Sequence, residues 1–238
     1  MRTPIIRGRP GTASTARGDD GNDRSAPGDV FGAIYRRNSW GGYSSVSGRG
    51  SGLDQTRRLI RLLPALFRTY DITTVLDLPC GDFHWMQHVD RRGVCYAGAD
   101  IVPELVAANH ARHAAPGTEF RCLDLLRDPL PEVDLVVCRD CLVHLPLGDV
   151  SRALANVRAS GSRYLLTTTF TGGRINVDIE TGGWRPLDLQ RPPFHLPPPL
   201  RVLREGCTEF GGSYADKSLG LWKVVDLPHP QCPAACAR

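Results

Sequence analysis

The sequence has 238 residues, 41% of them hydrophobic and 23% charged, which is enough to bury one sizeable core and predicts a single domain. No apolar run approaches the roughly 18 residues of a membrane span, so we expect no membrane partner. The net charge is only +4 and the basic residues are spread along the chain, so we expect no nucleic-acid partner.

The chain begins with a polar segment. Residues 1–29 are rich in Gly, Asp, Arg, Ser and Pro without apolar periodicity, which is typical of a disordered tail. The segment has no apolar run, so we predict no signal peptide and a cytoplasmic location. A short helix is expected from Val30, followed by "NSWGGYSSVSGRGSG" (38–52), which is either a linker or a lid over a ligand. The aromatic residues Tyr35, Trp40 and Tyr43 favour a lid, because a linker has little use for such side chains.

From residue 53, helical and strand patterns alternate. Residues 53–70 have helical apolar spacing, and Pro64 should kink or divide that helix. The alternation that follows predicts βαβ crossovers and a mostly parallel sheet, in an α/β protein. The predicted strands are 74–78, 95–101, 119–125, 133–140 and 163–170, and the predicted helices are 84–90, 103–114 and 147–160.

The last third of the chain changes character. Residues 171–199 contain six prolines and no clear helix, and a long irregular segment of this kind is typical of a functional loop. The segments 200–206 and 220–227 are expected to pair as antiparallel strands. Residues 228–238 form a predicted tail, so the domain is expected to span residues 30–227, with an N-terminal lid and helix over 30–70 and an acceptor-side loop over 171–199.

Acidic residues follow the first three strands. In a parallel sheet the carboxyl ends of the strands meet at one edge, where ligands bind. Asp77, Asp100 and Asp124 lie 23 and 24 residues apart, one strand–helix–strand step each, so they should line the same rim. A carboxylate after the second strand can accept both hydroxyls of a ribose, and one after the third can accept an adenine amine. Such a rim suits a ligand with a ribose, an adenine and a positive charge, and it would repel a pyrophosphate.

Four segments carry a resemblance to a known family. The stretches "VLDLPCGD", "YAGADIV", "FRCLDL" and "VDLVVCRDCLVHL" resemble the cofactor half of class I S-adenosylmethionine-dependent methyltransferases of the small-molecule type, over about residues 73–170. The resemblance implies S-adenosyl-L-methionine as the cofactor and a Rossmann-like sandwich, whose seven-stranded sheet is mostly parallel with the last strand antiparallel. The residues predicted to bind the cofactor are Asp77, Pro79, Cys80, Gly81, Asp100, Ile101, Asp124, Leu125 and Arg139.

The loop after the first strand departs from the family pattern at two positions. Pro79 and Phe83 stand where the family has glycines. Proline lacks a backbone N–H and fixes φ, so we expect a stiffer loop that offers one fewer donor to the cofactor. These departures also count against a dinucleotide site, which needs its glycines beside the pyrophosphate.

Two residues after the fourth strand are candidates for the chemistry. His144 could act as a general base because its pKa lies near neutral pH, although it could equally be a packing residue at a helix start. Asp140 competes for the same role, and transfer by proximity alone needs no base. The Cys138–Cys141 pair has CxxC spacing but lies at a strand end without a second ligand pair, so we predict no metal site. The predicted substrate-binding residues are Tyr35, Trp40, Trp85, Asn176, Trp184 and Arg185.

The short additions around the core favour a small acceptor. We expect methyl transfer to an O or N atom of a sugar-like, amino or phosphorylated metabolite of specialised or surface-polysaccharide metabolism. The alternatives are an RNA or protein methyltransferase and a non-catalytic binding module. The absence of an Asn-Pro-Pro-Tyr-type motif argues against methylation of a nucleobase amine.

Overall fold

The computed structural model describes residues 26–228, so most of both predicted tails lies outside the described residues. The strands in chain order are β1 (Thr74–Asp77), β2 (Cys95–Asp100), β3 (Thr118–Cys122), β4 (Leu135–Cys138), β5 (Tyr164–Phe170), β6 (Arg201–Arg204) and β7 (Lys217–Lys223). They form one sheet in the order β3-β2-β1-β4-β5-β7-β6. The first five are parallel, and β7 is antiparallel to both of its neighbours. The predicted α/β Rossmann-like sheet with an antiparallel last strand is confirmed, as is the pairing of the two C-terminal strands.

The helices are α1 (Pro27–Arg37), α2 (Leu53–Thr69), α3 (Pro103–His113) and α4 (Leu147–Ala159). Helix α1 begins three residues before the predicted Val30, with proline in its first turn, where a missing N–H costs nothing. Helix α2 is not divided at Pro64, because its apolar face is buried on both sides of that residue. None of the helices within residues 26–228 is long and apolar enough to cross a membrane.

The predicted helix over 84–90 is wrong. That segment contains only a short 3₁₀ turn, Met86–His88. Phe83 has a φ of 58°, and Val89 is extended, so only a few residues between them can take helical angles. The apolar residues of the segment are buried all the same, which explains why its pattern resembled a helix.

Both faces of the sheet are buried. Neighbouring residues of β1 point to opposite faces, so Val75 packs in one apolar cluster with Leu59 of α2, and Leu76 packs in the other with Leu154 of α4. This double burial agrees with the continuous apolar run of the predicted fourth strand. The strand order reverses between β1 and β4, and in open α/β sheets a ligand crevice forms at that point.

Candidate functional site

A cavity opens at the carboxyl ends of β1, β2 and β4. All nine residues predicted to bind the cofactor line it: Asp77, Pro79, Cys80, Gly81, Asp100, Ile101, Asp124, Leu125 and Arg139. Both catalytic candidates, His144 and Asp140, also line it, as do three predicted substrate residues, Tyr35, Trp40 and Trp85. The fold therefore brings residues that lie as far apart in the sequence as Tyr35 and His144 together around one cavity.

Asp100 ends β2 and is almost completely buried. Its two carboxylate oxygens accept hydrogen bonds from the backbone N–H of Gly81 (3.2 Å) and of Val102 (3.1 Å). Burial raises the pKa of Asp100 to about 6, and these backbone donors only partly oppose the rise. The carboxylate is thus oriented at the cavity wall, with lone pairs to spare for further donors.

Asp77 ends β1 beside it. The Tyr96 hydroxyl donates a 2.7 Å hydrogen bond to one oxygen of the Asp77 carboxylate. Burial raises the pKa of Asp77 to about 7, although the bond from Tyr96 acts in the opposite direction. Asp124 follows β3, and its Oδ1 accepts the N–H of Leu126, which anchors the third wall of the cavity.

The loop after β1 has a positive φ at two positions, and only one of them is a glycine. Gly81 has a φ of 54°, and an added Cβ would lie 2.2 Å from Ser47 Oγ, so only glycine fits there. Phe83 also has a positive φ, and its ring is buried against Tyr96 and Phe120, with centroids 5.1 and 5.2 Å away. Core packing therefore offsets the backbone strain of roughly 1–2 kcal/mol that a side chain meets in this conformation.

The segment 45–51 is fastened to this loop through Asp82. The Asp82 carboxylate accepts hydrogen bonds from the Ser45 hydroxyl (2.9 Å), the Val46 N–H (3.0 Å) and the Ser47 hydroxyl (3.3 Å). In return, Ser47 Oγ accepts the N–H of Asp82. Because Val46, Ser47 and Ser51 also line the cavity, the segment forms one of its walls, in the position expected of a lid.

We expect Asp82→Ala to loosen this segment. Loss of the carboxylate leaves three donors of 45–47 without their acceptor. The amide protons of 45–51 should then exchange with solvent at least about tenfold faster, which corresponds to a loss of roughly 1.4 kcal/mol in local stability. Hydrogen exchange with mass spectrometry measures this change. Asp90→Ala is the control, since Asp90 is exposed and bonds only to nearby Arg92. Equal exchange rates in the Asp82 variant and the wild type would contradict the role of Asp82 in holding this segment.

His144 lies in a 3₁₀ turn, Leu142–His144, directly after β4. Its Nδ1 is 2.7 Å from the backbone carbonyl oxygen of Gly183. A carbonyl can only accept, so Nδ1 carries the proton and Nε2 keeps its lone pair. Burial lowers the pKa of His144, against the opposing effects of the Gly183 carbonyl and the Asp140 charge. The Trp40 ring packs at 4.8 Å from the imidazole and fixes its plane.

Asp140 is held in a buried group of four charges, the ion cluster. Its Oδ2 lies 2.6 Å from Lys217 Nζ and 3.2 Å from Arg139 Nη1. Arg139 also donates to Glu205 at 2.7 Å. Burial acts to raise the pKa of Asp140, but the charges of Arg139 and Lys217 outweigh it and hold the pKa far below its usual range. A carboxylate so stabilised is a poor proton acceptor, so the geometry disfavours Asp140 as the general base.

The ion cluster also reaches segment 45–51. Arg139 donates a 2.8 Å hydrogen bond to the Gly50 carbonyl oxygen, and its guanidinium lies 5.5 Å from the centre of the Trp85 ring. Arg139 and Trp85 are both buried in the cavity wall, where segment 45–51, β4 and the loop after β1 meet. Paired in this way, Arg139 contributes little uncompensated positive charge to the cavity.

Three predicted substrate residues lie outside the cavity walls. The Asn176 amide bonds to the backbone of Asp188 and Pro192 within the loop 171–199. Arg185 is buried and donates to the carbonyl oxygens of Leu142 and Leu145, so it holds the turn that carries His144. Trp184 is part of an aromatic group further out. The sequence could not show where these three side chains point, because an irregular loop has no periodicity that indicates side-chain direction.

Two sets of residues at the site were not predicted from the sequence. Asp82 belongs to the first-strand loop, but nothing local shows that it bonds to residues 35 to 37 positions away. Glu205 and Lys217 join the ion cluster from 66 and 77 positions away. One signal was available, since Lys217 is one of only two lysines in the sequence. Within residues 26–228, no group of three His, Cys, Asp or Glu side chains could hold a metal ion.

Residues 75–160 match a family model described as a methyltransferase domain. No curated protein matches the sequence. Among solved structures, human N-acetylserotonin methyltransferase in complex with S-adenosylmethionine is similar, with a TM-score of 0.50 and 16% identity over 82% of this chain and 59% of that one. At this identity the likeness shows a shared fold.

Two further structures are similar at lower TM-scores. Magnesium protoporphyrin IX methyltransferase from Synechocystis PCC 6803 with bound S-adenosylmethionine has a TM-score of 0.49 and 16% identity, over 66% of this chain and 82% of that one. A protein from Pyrococcus horikoshii OT3 has a TM-score of 0.40 and 21% identity, over 48% of this chain and 57% of that one. The chain thus spans less than two thirds of the human and Pyrococcus structures.

Proposed function

We propose that the chain is a class I, S-adenosylmethionine-dependent methyltransferase that transfers a methyl group to an oxygen or nitrogen atom of a small metabolite. Residues 75–160 match a methyltransferase-domain model, which supports this proposal. The observation that carries the proposal is the meeting of Asp77, Asp100 and Asp124 with His144 around one cavity. The acids supply the wall expected for the cofactor, and the histidine supplies a base beside it.

The residues present fit S-adenosylmethionine. Asp100 is a buried carboxylate with free lone pairs at the end of β2, suited to the two ribose hydroxyls. Asp124 and Leu125 lie one strand further, where the adenine belongs by resemblance, and Asp77 and Gly81 lie toward the methionine end. When bound, S-adenosylmethionine supplies an electrophilic methyl group on a positively charged sulfur, and the acidic wall favours that charge.

His144 has the geometry of a general base. Its Nε2 lone pair is available because Nδ1–H is committed to the Gly183 carbonyl, and its lowered pKa keeps the ring neutral near pH 7. It takes the proton that an acceptor hydroxyl or ammonium must lose. The negative charge of Asp140 then favours the resulting imidazolium. Asp140 thus assists the histidine and does not replace it.

The cavity walls narrow the choice of acceptor. Near His144 the cavity is lined by Phe31, Trp40 and Leu145, which are apolar or aromatic. Among the described residues that line the cavity, the one arginine is already paired with Asp140 and Glu205. A phosphorylated acceptor would find no free cation on these walls, so we favour an uncharged or amino acceptor.

We expect His144→Ala to reduce kcat by about 100-fold or more, because general-base catalysis contributes roughly 10²–10⁴. The assay follows the labelled methyl of S-adenosylmethionine into catechol, tyramine and glucosamine as probe acceptors. Affinity for S-adenosylmethionine, measured by calorimetry, should stay within about twofold.

The exposed His88 provides a matched control, and His88→Ala should keep full turnover. Full turnover in the His144 variant would contradict the general-base role and would favour methyl transfer by proximity alone. Cofactor binding without transfer to any of the three probes would instead favour a binding module.

Cofactor affinity should also depend on pH through Asp100. Its pKa of about 6 means that the carboxylate becomes protonated below that pH and loses acceptor capacity for ribose hydroxyls. The Kd for S-adenosylhomocysteine should therefore rise by up to about tenfold per pH unit below pH 6 and level off at higher pH. Asp77, with its pKa of about 7, titrates in the adjoining range, so Asp100→Asn isolates the Asp100 contribution. An unchanged pH profile in that variant would contradict the assignment.

A further inference from the structure

Four aromatic residues form a group beside the cavity, here called the aromatic rim: Phe170, Trp184, Phe210 and Tyr214. The Trp184 and Tyr214 ring centroids are 4.8 Å apart, and those of Phe210 and Tyr214 are 5.6 Å apart, both edge to face. Phe170 is buried and forms the floor, 6.2 Å from Trp184 and 6.0 Å from Tyr214. Trp184 is 42% exposed and Phe210 77% exposed.

Folding does not account for this exposure. Phe210 contributes little to the core, and it adopts a φ of 51°, a conformation that costs a phenylalanine free energy. Exposed apolar groups that cluster together commonly mark binding sites, whereas single exposed residues need no explanation. The rim therefore has the properties of a surface that a ligand covers.

The rim is connected to the catalytic end of the cavity through Gly183. This residue directly precedes Trp184, and its carbonyl oxygen accepts the His144 Nδ1–H bond. A molecule lying on the rim can thus extend toward His144.

One ion pair packs against the rim, and its two charges neutralise each other. The Arg174 guanidinium lies 5.6 Å from the centre of the Tyr214 ring, and its Nε and Nη2 bind Asp216 at 3.0 and 2.6 Å. Arg174 Nη2 donates also to the Ser213 carbonyl oxygen. With these groups committed to each other, the rim recognises a ligand through its aromatic faces and edges. A flat, uncharged ring suits such a surface better than a sugar, whose hydroxyls need polar partners, or a phosphate.

We infer that the aromatic rim binds the outer ring of a multi-ring aromatic acceptor, whose reacting hydroxyl or amine enters the cavity at His144. This inference rests on the proposed function and specifies its acceptor. Phe31, Tyr35 and Trp40 surround the inner ring at the cavity, and the rim holds the part of the molecule that remains outside.

Two probes with the same reacting group test this inference. Catechol has one ring, whereas quercetin carries a catechol joined to a flat two-ring system. Calorimetry with the full chain and S-adenosylhomocysteine should give a quercetin Kd at least about tenfold lower than that of catechol. Trp184→Ala and Phe210→Ala should each raise the quercetin Kd severalfold to tenfold and leave the catechol Kd unchanged.

The controls separate this inference from non-specific effects and from the proposed function. Phe210 is so exposed that its alanine variant should fold even if the Trp184 variant does not. Val225 is an apolar residue outside the rim and the cavity that is 66% exposed, so Val225→Ala should change neither Kd. Equal Kd values for the two probes, or a preference that survives Phe210→Ala, would overturn the rim assignment. S-adenosylmethionine affinity is measured on the same samples, and a lack of measurable binding would overturn the proposed function instead.

Discussion

Asp100→Ala is expected to weaken S-adenosylmethionine binding by roughly 100-fold. The Asp100 carboxylate is proposed to accept both ribose hydroxyls, and hydrogen bonds to a charged group are worth roughly 1.5–3 kcal/mol each. A loss of about 2.7 kcal/mol corresponds to a hundredfold change in Kd. Calorimetric titration of the purified chain measures this change directly and needs no acceptor.

Two further variants make this result specific. Asp100→Asn keeps the size and one acceptor oxygen, so its Kd should lie between those of the wild type and the alanine variant. Asp90→Ala removes an exposed carboxylate outside the cavity and should leave the Kd unaltered. Unfolding experiments must show that the Asp100 variant is folded, since Asp100 also accepts the N–H groups of Gly81 and Val102. Wild-type affinity in a folded Asp100→Ala would rule out the ribose assignment.

Glu205→Ala is expected to lower the free energy of unfolding by about 3–5 kcal/mol. The Glu205 side chain is 1% exposed, and it compensates the charges of Arg139 at 2.7 Å and Lys217 at 3.6 Å. Without it, Asp140 is the one carboxylate left in direct contact with the two buried cations, and removal of one partner from a buried ion group carries a penalty of this size. Urea unfolding followed by circular dichroism measures the change.

The matched control is an exposed ion pair. Glu104 and Arg36 lie 3.0 Å apart, with side chains 51% and 56% exposed. Exposed pairs contribute roughly 0–1 kcal/mol, so Glu104→Ala should change the unfolding free energy far less than Glu205→Ala. Equal losses of unfolding free energy in the two variants would contradict the expected contribution of the buried ion cluster to stability. Glu205→Gln, which keeps a hydrogen-bond acceptor, should fall between the two.

The ion cluster also links stability to the site. Arg139 donates to the Gly50 carbonyl of segment 45–51, while the charge of Asp140 favours the protonated form of His144. The residues that join the end of β4 to β6 and β7 thus also hold segment 45–51 and place a negative charge near the proposed base.

Most of the fold could be predicted from sequence because its signals are local. Strand β2 and helix α3 follow from apolar runs and spacing within about a dozen residues, and the structure agrees with them to within a residue or so. The segment 84–90 failed because the positive φ of Phe83 overrides an apolar pattern that resembles a helix. Packing of the Phe83 ring among distant aromatic residues stabilises that conformation, and such packing is invisible in the local sequence.

The sequence by itself determined the sheet, the acids at its carboxyl edge and their resemblance to the methyltransferases. It could do so because strand ends recur at a regular spacing, and that spacing places Asp77, Asp100 and Asp124 on one side. Only the tertiary structure decided what surrounds them. Asp82 bonds to residues 45–47, more than 30 positions away, Arg139 pairs with Glu205 66 positions away, and Trp184 packs against Tyr214. These contacts depend on where loops return to the sheet, which burial and charge pairing across the whole chain decide.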